Sequence, residues 1–174
     1  MAHRQRITRE QIENSIQTVG AAKILLSRQD LRHLQDLSNI NLEGINLKWS
    51  NLESVNLEKA NLKKAVLENI NLKRARLDKA DLSGAEMFRA NLEEAQLREA
   101  KLIGAYLGSV NLKQASLAGA DLSKANLHYA DLRGADLTGT NLSGTHLRYA
   151  KYNKDTKWPA GVEAALIGAK FTRR

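Results

Sequence analysis

A leucine at every fifth position runs through most of this chain, and no other sequence feature constrains the fold as strongly. Residues 125–145 read ANLHYADLRGADLTGTNLSGT, in which one five-residue phrase occurs four times and then begins again. Between Leu42 and Leu147 there are 22 such steps, and the central residue is leucine in 21 of them and Met87 in the other. A fixed internal period of this kind indicates a repeat architecture.

The residues that precede each leucine predict a short extended edge. Two positions before the leucine, 14 of the 22 steps have alanine, and one position before it, 14 of the 22 have Asn or Asp. This alternation is typical of an extended chain with one buried face. The two polar residues that follow break the alternation, so the chain must bend every five residues, and Asn, Asp and Gly suit such bends. An α-helix is excluded because leucines spaced by five, about 500° apart, would sweep around every side of it.

The steps that lack Asn or Asp predict four edges, and therefore 20 residues, in each coil. When the steps are sorted on four edges, the exceptions collect on some edges and avoid one completely. The regular edge carries Asn51, Asn71, Asn91, Asn111 and Asp131, and the edge before it has exceptions at Val66, Glu86, Tyr106 and His146. Successive coils are expected about 4.8 Å apart.

The A(D/N)LXX steps of residues 40–150 resemble the pentapeptide-repeat family. The resemblance implies an all-β solenoid, a right-handed quadrilateral β-helix. Residues 1–39 are expected to form an N-terminal helical cap that opens with a capping box of Thr8 and Gln11. Residues 151–174 are expected to form a C-terminal cap and basic tail, with a short helix over 160–166. Because this last segment is similar to the caps of cyanobacterial members, a cyanobacterial source is expected, and capped ends favour a monomer.

Composition limits the partners and the compartment. The chain has no cysteine and no apolar run of bilayer length, and its N-terminus lacks the apolar core of a secretory signal, so the expected location is the cytoplasm. The net charge of +8 divides into +2, +2 and +4 over residues 1–39, 40–150 and 151–174. A nearly neutral repeat region argues against membrane binding and against a nucleic-acid binder with a continuous basic face.

The sequence does not indicate an enzyme, a cofactor or a metal site. It has four histidines and no glycine-rich phosphate loop, zinc-protease motif or nucleophile elbow. The aspartates at repeat positions are explained by turn chemistry. His128 and His146 are expected on one face beside Arg148, but the sequence offers no third ligand for a metal.

Every outward aromatic residue of the repeat region is expected on one of the four sides. We call this side, which is centred on residues 47, 67, 87, 107, 127 and 147, the aromatic face. The candidate partner-binding residues are Trp49, Phe88, Tyr106, His128, Tyr129, His146, Arg148 and Tyr149. Two interpretations remain open. The aromatic rings stack along the coils for about 0.2–1 kcal/mol per pair, or they bind a partner protein.

The sequence therefore favours a non-enzymatic protein-interaction or scaffold module. The resemblance implies a regulatory role, for example in heterocyst patterning, and an alternative, topoisomerase protection by DNA mimicry. The positive charge disfavours that alternative, since a DNA mimic must be acidic. Two basic clusters are weaker candidates for acidic partners. The first is a belt of Lys63, Lys64, Lys73, Arg74, Arg76 and Lys79, and the second is the end carrying Lys151, Lys154, Lys157, Lys170, Arg173 and Arg174.

Overall fold

Stacked coils of 20 residues form the body of the protein. The computed structural model describes residues 7–163 and 168–173. Parallel β-bridges join residues that are 20 apart through every coil from Asp36 to Lys151. Each edge therefore lies against the edge one coil away, and the four-edge circuit predicted from the sequence is confirmed.

A tight turn follows each central leucine. In a representative step, the Leu57 carbonyl accepts a hydrogen bond from the Ala60 N–H at 3.0 Å, and Lys59 between them has φ of 57°. A positive φ at the third position of a turn is the requirement of type II turns. Because the position two residues after the leucine has positive φ in every step, the bend predicted from the sequence recurs at each corner.

Regular strands are rarer than an all-β prediction suggests. Each edge has room for one bridge between two turns, so the pairing registers as isolated bridges. Among the described residues the regular elements are helix α1 (Arg9–Val19), 3₁₀ turns Ala21–Lys23 and Arg32–Leu34, and strands β1 (Lys151–Tyr152) and β2 (Lys170–Phe171).

Leucine side chains fill the axis of the stack. The central leucines from Leu42 to Leu137 are at most 2% exposed, as predicted, and the alanines two positions earlier are equally buried. Where a hydroxyl residue replaces alanine, it bonds to the backbone of the preceding coil. The Ser50 hydroxyl donates to the Leu26 carbonyl at 2.6 Å, and the Thr140 hydroxyl donates to the Leu117 carbonyl at 2.9 Å.

Helix α1 packs at the N-terminal end of the stack. The capping box is confirmed, since the Gln11 N–H donates to Thr8 Oγ1 at 3.2 Å and the Thr8 N–H donates to Gln11 Oε1 at 2.9 Å. Ile12 is buried against the core, and Arg9 donates to the Ser38 carbonyl at 3.0 Å. The bridges begin at Leu25, upstream of residue 40, and the coil that contains Arg32–Leu34 holds one extra residue.

At the C-terminal end the chain returns to pair with its own last coil. Strand β2 lies parallel to β1, and the Tyr149 N–H donates to the Gly168 carbonyl at 2.9 Å. The helix expected over 160–166 lies partly outside the described residues, and residues 160–163 contain a turn. In the ranges 7–163 and 168–173, no helix has the length and apolarity that crossing a membrane requires.

Candidate functional site

The coil register places the predicted aromatic residues on a common side. A single column of bridges runs through Asn46, Val66, Glu86, Tyr106, Asn126 and His146. Two further hydrogen bonds bring neighbouring columns of the same side into register, from the Asn69 N–H to the Phe88 carbonyl at 3.0 Å and from the Tyr129 N–H to the Arg148 carbonyl at 3.3 Å. The aromatic face is thus a continuous wall of three columns.

The upper part of this face brings five predicted residues together. The rings of Tyr129 and Tyr149 stack with centroids 5.1 Å apart and planes at 20°. The His128 and His146 rings meet edge to face at 6.1 Å. The Arg148 guanidinium lies 4.8 Å from the centre of the Tyr149 ring, a cation–π contact. This group presents aromatic and cationic surface side by side.

The other three predicted aromatic residues lie lower on the face. Trp49, Phe88 and Tyr106 are between 43% and 59% exposed, and none makes a ring–ring contact with another described aromatic residue. Trp49 lies low in the stack, well below the tyrosine stack. The sequence therefore predicted the correct side for all five aromatic residues, but only Tyr129 and Tyr149 stack on each other.

Two acidic residues and a glycine belong to this surface and were not predicted from the sequence. Glu68 and Glu86 line a cleft of about 280 Å³ together with Phe88 and Tyr106. Gly108 lies beside Phe88, so close that a Cβ at this position would be 3.1 Å from the ring. The 20-residue lattice gives the signal for finding them, because these positions adjoin Phe88 and Tyr106 once the coil length is known.

The histidine pair does not form part of a metal centre in the described structure. Over residues 7–163 and 168–173, no group of three or more metal-ligating side chains comes together. Arg148 also places a positive charge next to the pair through its contact with Tyr149. The geometry fits two surface histidines in a binding wall better than a cation site.

The basic belt is largely neutralised by acidic residues in adjacent coils. Ion pairs connect Lys63 with Asp81, Lys73 with Glu93, Arg74 with Glu94, Arg76 with Glu58, and Lys79 with Glu99. The hydrogen bond from Lys73 lowers the pKa of the Glu93 carboxyl. Because most of the belt cations have an intramolecular partner, the belt fits a structural role better than a site for an acidic ligand.

Comparisons with known proteins give a consistent picture. The family model described as pentapeptide repeats (8 copies) matches residues 36–69, 65–104, 100–139 and 125–151. A comparison with curated proteins returned no significant match.

Among solved structures, the chain is 34% identical to the pentapeptide repeat protein Rfr23 from the cyanobacterium Cyanothece 51142. That match covers 74% of this chain and 94% of Rfr23, with a TM-score of 0.49. It is 25% identical to HetL of Nostoc sp. strain PCC 7120, described as involved in heterocyst differentiation regulation, over 94% and 92% of the two chains with a TM-score of 0.28. QnrB1, described as a plasmid-mediated fluoroquinolone resistance protein, is 17% identical over 79% and 77%, with a TM-score of 0.49.

Proposed function

Because this chain belongs to the pentapeptide-repeat family, we propose that it is a non-enzymatic interaction module that binds a partner protein on its aromatic face. The proposal includes a right-handed winding of the quadrilateral coil, with residues 1–39 and 151–174 as end caps that keep the chain monomeric. It also includes the cytoplasmic location expected from the sequence. A regulatory role, for example in heterocyst patterning, is proposed on the family resemblance alone.

One observation carries the proposal: exposed aromatic rings are concentrated on one wall of a rigid stack. Trp, Tyr and Phe are enriched at the centres of protein interfaces, and Arg is the charged residue most often found with them. On this wall Trp49, Tyr106 and Tyr129 each expose more than half of their surface, and Arg148 lies within the same patch. A wall held by backbone hydrogen bonds in every coil loses little conformational freedom when a partner binds.

The competing interpretation, stacking along the coils, accounts for only part of the pattern. It explains Tyr129 and Tyr149, whose rings are in contact. It does not explain Trp49 or Tyr106, which stack on no other ring among the described residues. Partner binding accounts for both sets, since a stacked pair is also a flat, preorganised contact surface.

Topoisomerase protection by DNA mimicry stays the weaker candidate. It requires an acidic surface along the rod, whereas this chain carries a net charge of +8. The expected outcome of a gyrase supercoiling assay is no inhibition by the purified protein. Potent inhibition would replace the proposed function with this alternative.

The proposed function is tested by replacing the tyrosine stack. A chain with Tyr129→Ala and Tyr149→Ala is expected to lose partner capture from native cell extract by about tenfold or more, as hot-spot truncations do. Loss of one exposed ring pair costs about 1 kcal/mol, which corresponds to a Tm decrease of roughly 2–4 °C in a protein of this size.

Lys79→Ala with Glu99→Ala provides the matched control. These two residues occupy the same corner position on the opposite side, also one coil apart, and their side chains form an ion pair at 3.7 Å. The control is expected to retain full capture. If the tyrosine variant keeps its partner while its Tm decreases strongly, the rings serve stability and the proposed function is wrong.

A further inference from the structure

We propose that the cleft lined by Glu68, Glu86, Phe88 and Tyr106 is an anchor site for a cationic side chain, lysine or arginine, of the partner protein. The proposal deepens the proposed function and rests on it, since the cleft lies within the aromatic face. It specifies the chemistry of one contact that the partner must supply.

The coil register puts an acidic group below a ring on both sides of the cleft. Glu86 and Tyr106 are bridge partners one coil apart in the first column. Glu68 and Phe88 occupy the same relation in the next column, where the Asn69 N–H donates to the Phe88 carbonyl at 3.0 Å. Two carboxylates and two aromatic rings therefore border one opening, and this combination attracts cations through charge and through the ring faces.

Gly108 leaves room for the Phe88 ring beside the cleft. A Cβ at position 108 would lie 3.1 Å from Phe88 Cδ2, closer than ordinary van der Waals contact. The ring can therefore lie over the glycine while remaining 43% exposed. Phe88 is held as one wall of the cleft rather than extended freely into solvent.

The charges around the cleft leave one carboxylate for an incoming cation. Glu68 is paired with Lys48 at 2.6 Å. Glu86 forms no ion pair with any described residue, and it is exposed. The Arg89 guanidinium lies 5.0 Å from the centre of the Phe88 ring, so this ring already accepts a cation in the free protein. A partner cation would contact Glu86 and the Tyr106 ring, where no cation is present among the described residues.

The size of the cleft fits a side chain. Sites for drug-sized molecules usually enclose about 300–1,000 Å³, and this cleft of about 280 Å³ lies just below that range. An ammonium or guanidinium group on an alkyl chain presents a small cationic head together with an apolar stem that packs on rings. The cleft thus matches a Lys or Arg side chain inserted from a partner surface.

The test is an NMR titration of the ¹⁵N-labelled full chain with N-acetyl-lysine methylamide. The expected result is a saturable shift confined to the backbone amides of residues 86–89 and 106–109. N-acetyl-norleucine methylamide, which has a similar stem without the charge, is expected to bind about fivefold more weakly. No saturable shift at these amides in the millimolar range, or equal binding of the two probes, would overturn the proposal.

Variants separate the cleft from a general attraction to negative charge. Glu86→Gln is expected to weaken the lysine probe about fivefold, whereas Glu53→Gln, which removes a carboxylate from the neighbouring side, should leave its binding unchanged. Gly108→Ala adds a methyl against the Phe88 ring and should weaken the probe although every charge is retained. Equal effects of Glu86→Gln and Glu53→Gln would contradict a specific site.

The two proposals fail in different ways. If the lysine probe does not bind but the Tyr129 and Tyr149 variant loses its partner, the cationic anchor is wrong and the binding face stands. If the probe binds in the cleft but the tyrosine variant keeps its partner, the anchor site exists and the proposed binding face is wrong.

Discussion

At the scale of single residues, the Asn or Asp before each leucine does two tasks. Asn91 accepts a hydrogen bond from the Glu93 N–H at 3.2 Å, which fixes the turn after the leucine. It also accepts from Asn111 Nδ2 at 3.1 Å and donates to Asn71 Oδ1 at 3.3 Å, which links three coils. On the next edge, Gln96 makes no side-chain hydrogen bond with any described residue. The repeat tolerates such exceptions because the backbone bridges remain.

This difference predicts unequal effects of two equivalent substitutions. Asn91→Ala removes the turn bond and the links to both neighbouring coils, so we expect it to lower the free energy of unfolding by about 1–2 kcal/mol. Gln96→Ala should change it by less than about 0.5 kcal/mol. Urea unfolding monitored by circular dichroism checks both, and equal effects would show that the asparagine column does not stabilise the stack.

The residue pattern predicted which side chains point inward, but not every bond they make. Leucine and alanine burial follows from the period of five alone. The bonds from Ser50 to Leu26 and from Thr140 to Leu117 join residues 24 and 23 apart, so they depend on the spacing between coils. A linear pattern contains the polarity of a hydroxyl residue but not its partner.

At the scale of the individual edge, the aspartates act through the same turn geometry as the asparagines. Asp121 accepts from the Ser123 N–H at 2.9 Å, and Asp136 accepts from the Thr138 N–H at 3.0 Å. The hydrogen bonds from Ser123 and Thr138 lower the pKa of these carboxyls from the usual 3.8. Folding therefore favours the ionised form.

A lowered pKa in the folded state fixes the sign of the pH effect. The stabilisation is present above the unfolded pKa of 3.8 and is lost as the pH falls through the lower folded value. We expect the Tm to decrease between about pH 5 and pH 2. Asp121→Asn with Asp136→Asn, which keeps the acceptor oxygens without the charge, should reduce this decrease, and an unchanged acid response would contradict the assignment.

Edges and turns were predictable, whereas irregular pairing at the ends was not. One extra residue is accommodated near Arg32–Leu34 and another between Lys151 and Lys157, so bridge partners there are 21 apart. The period of five is already broken at both places in the sequence. A broken repeat does not by itself indicate that the chain continues to pair.

At the scale of the whole molecule, the 20-residue circuit converts sequence spacing into vertical columns. Ion pairs between residues 20 apart follow from it, as do the tyrosine stack and the cleft between coils. The sequence was sufficient to place the aromatic residues on one side. It did not predict that Tyr129 and Tyr149 stack while Phe88 leans over Gly108, because those contacts depend on side-chain directions.

The circuit is tested most directly by paired cysteines, since the natural chain has none. The Gly119 N–H donates to the Thr138 carbonyl at 2.9 Å, so positions 118 and 138 lie in adjacent coils. Coils about 4.8 Å apart bring the Cα atoms within the roughly 4.4–6.8 Å that a disulfide requires. Ala118→Cys with Thr138→Cys should therefore form a disulfide under mild oxidation, measured by mass spectrometry, and Ala118→Cys with Arg133→Cys or with Ser143→Cys should not. Efficient pairing at a spacing of 15 or 25 residues, with none at 20, would contradict the four-sided stack and the aromatic face built on it.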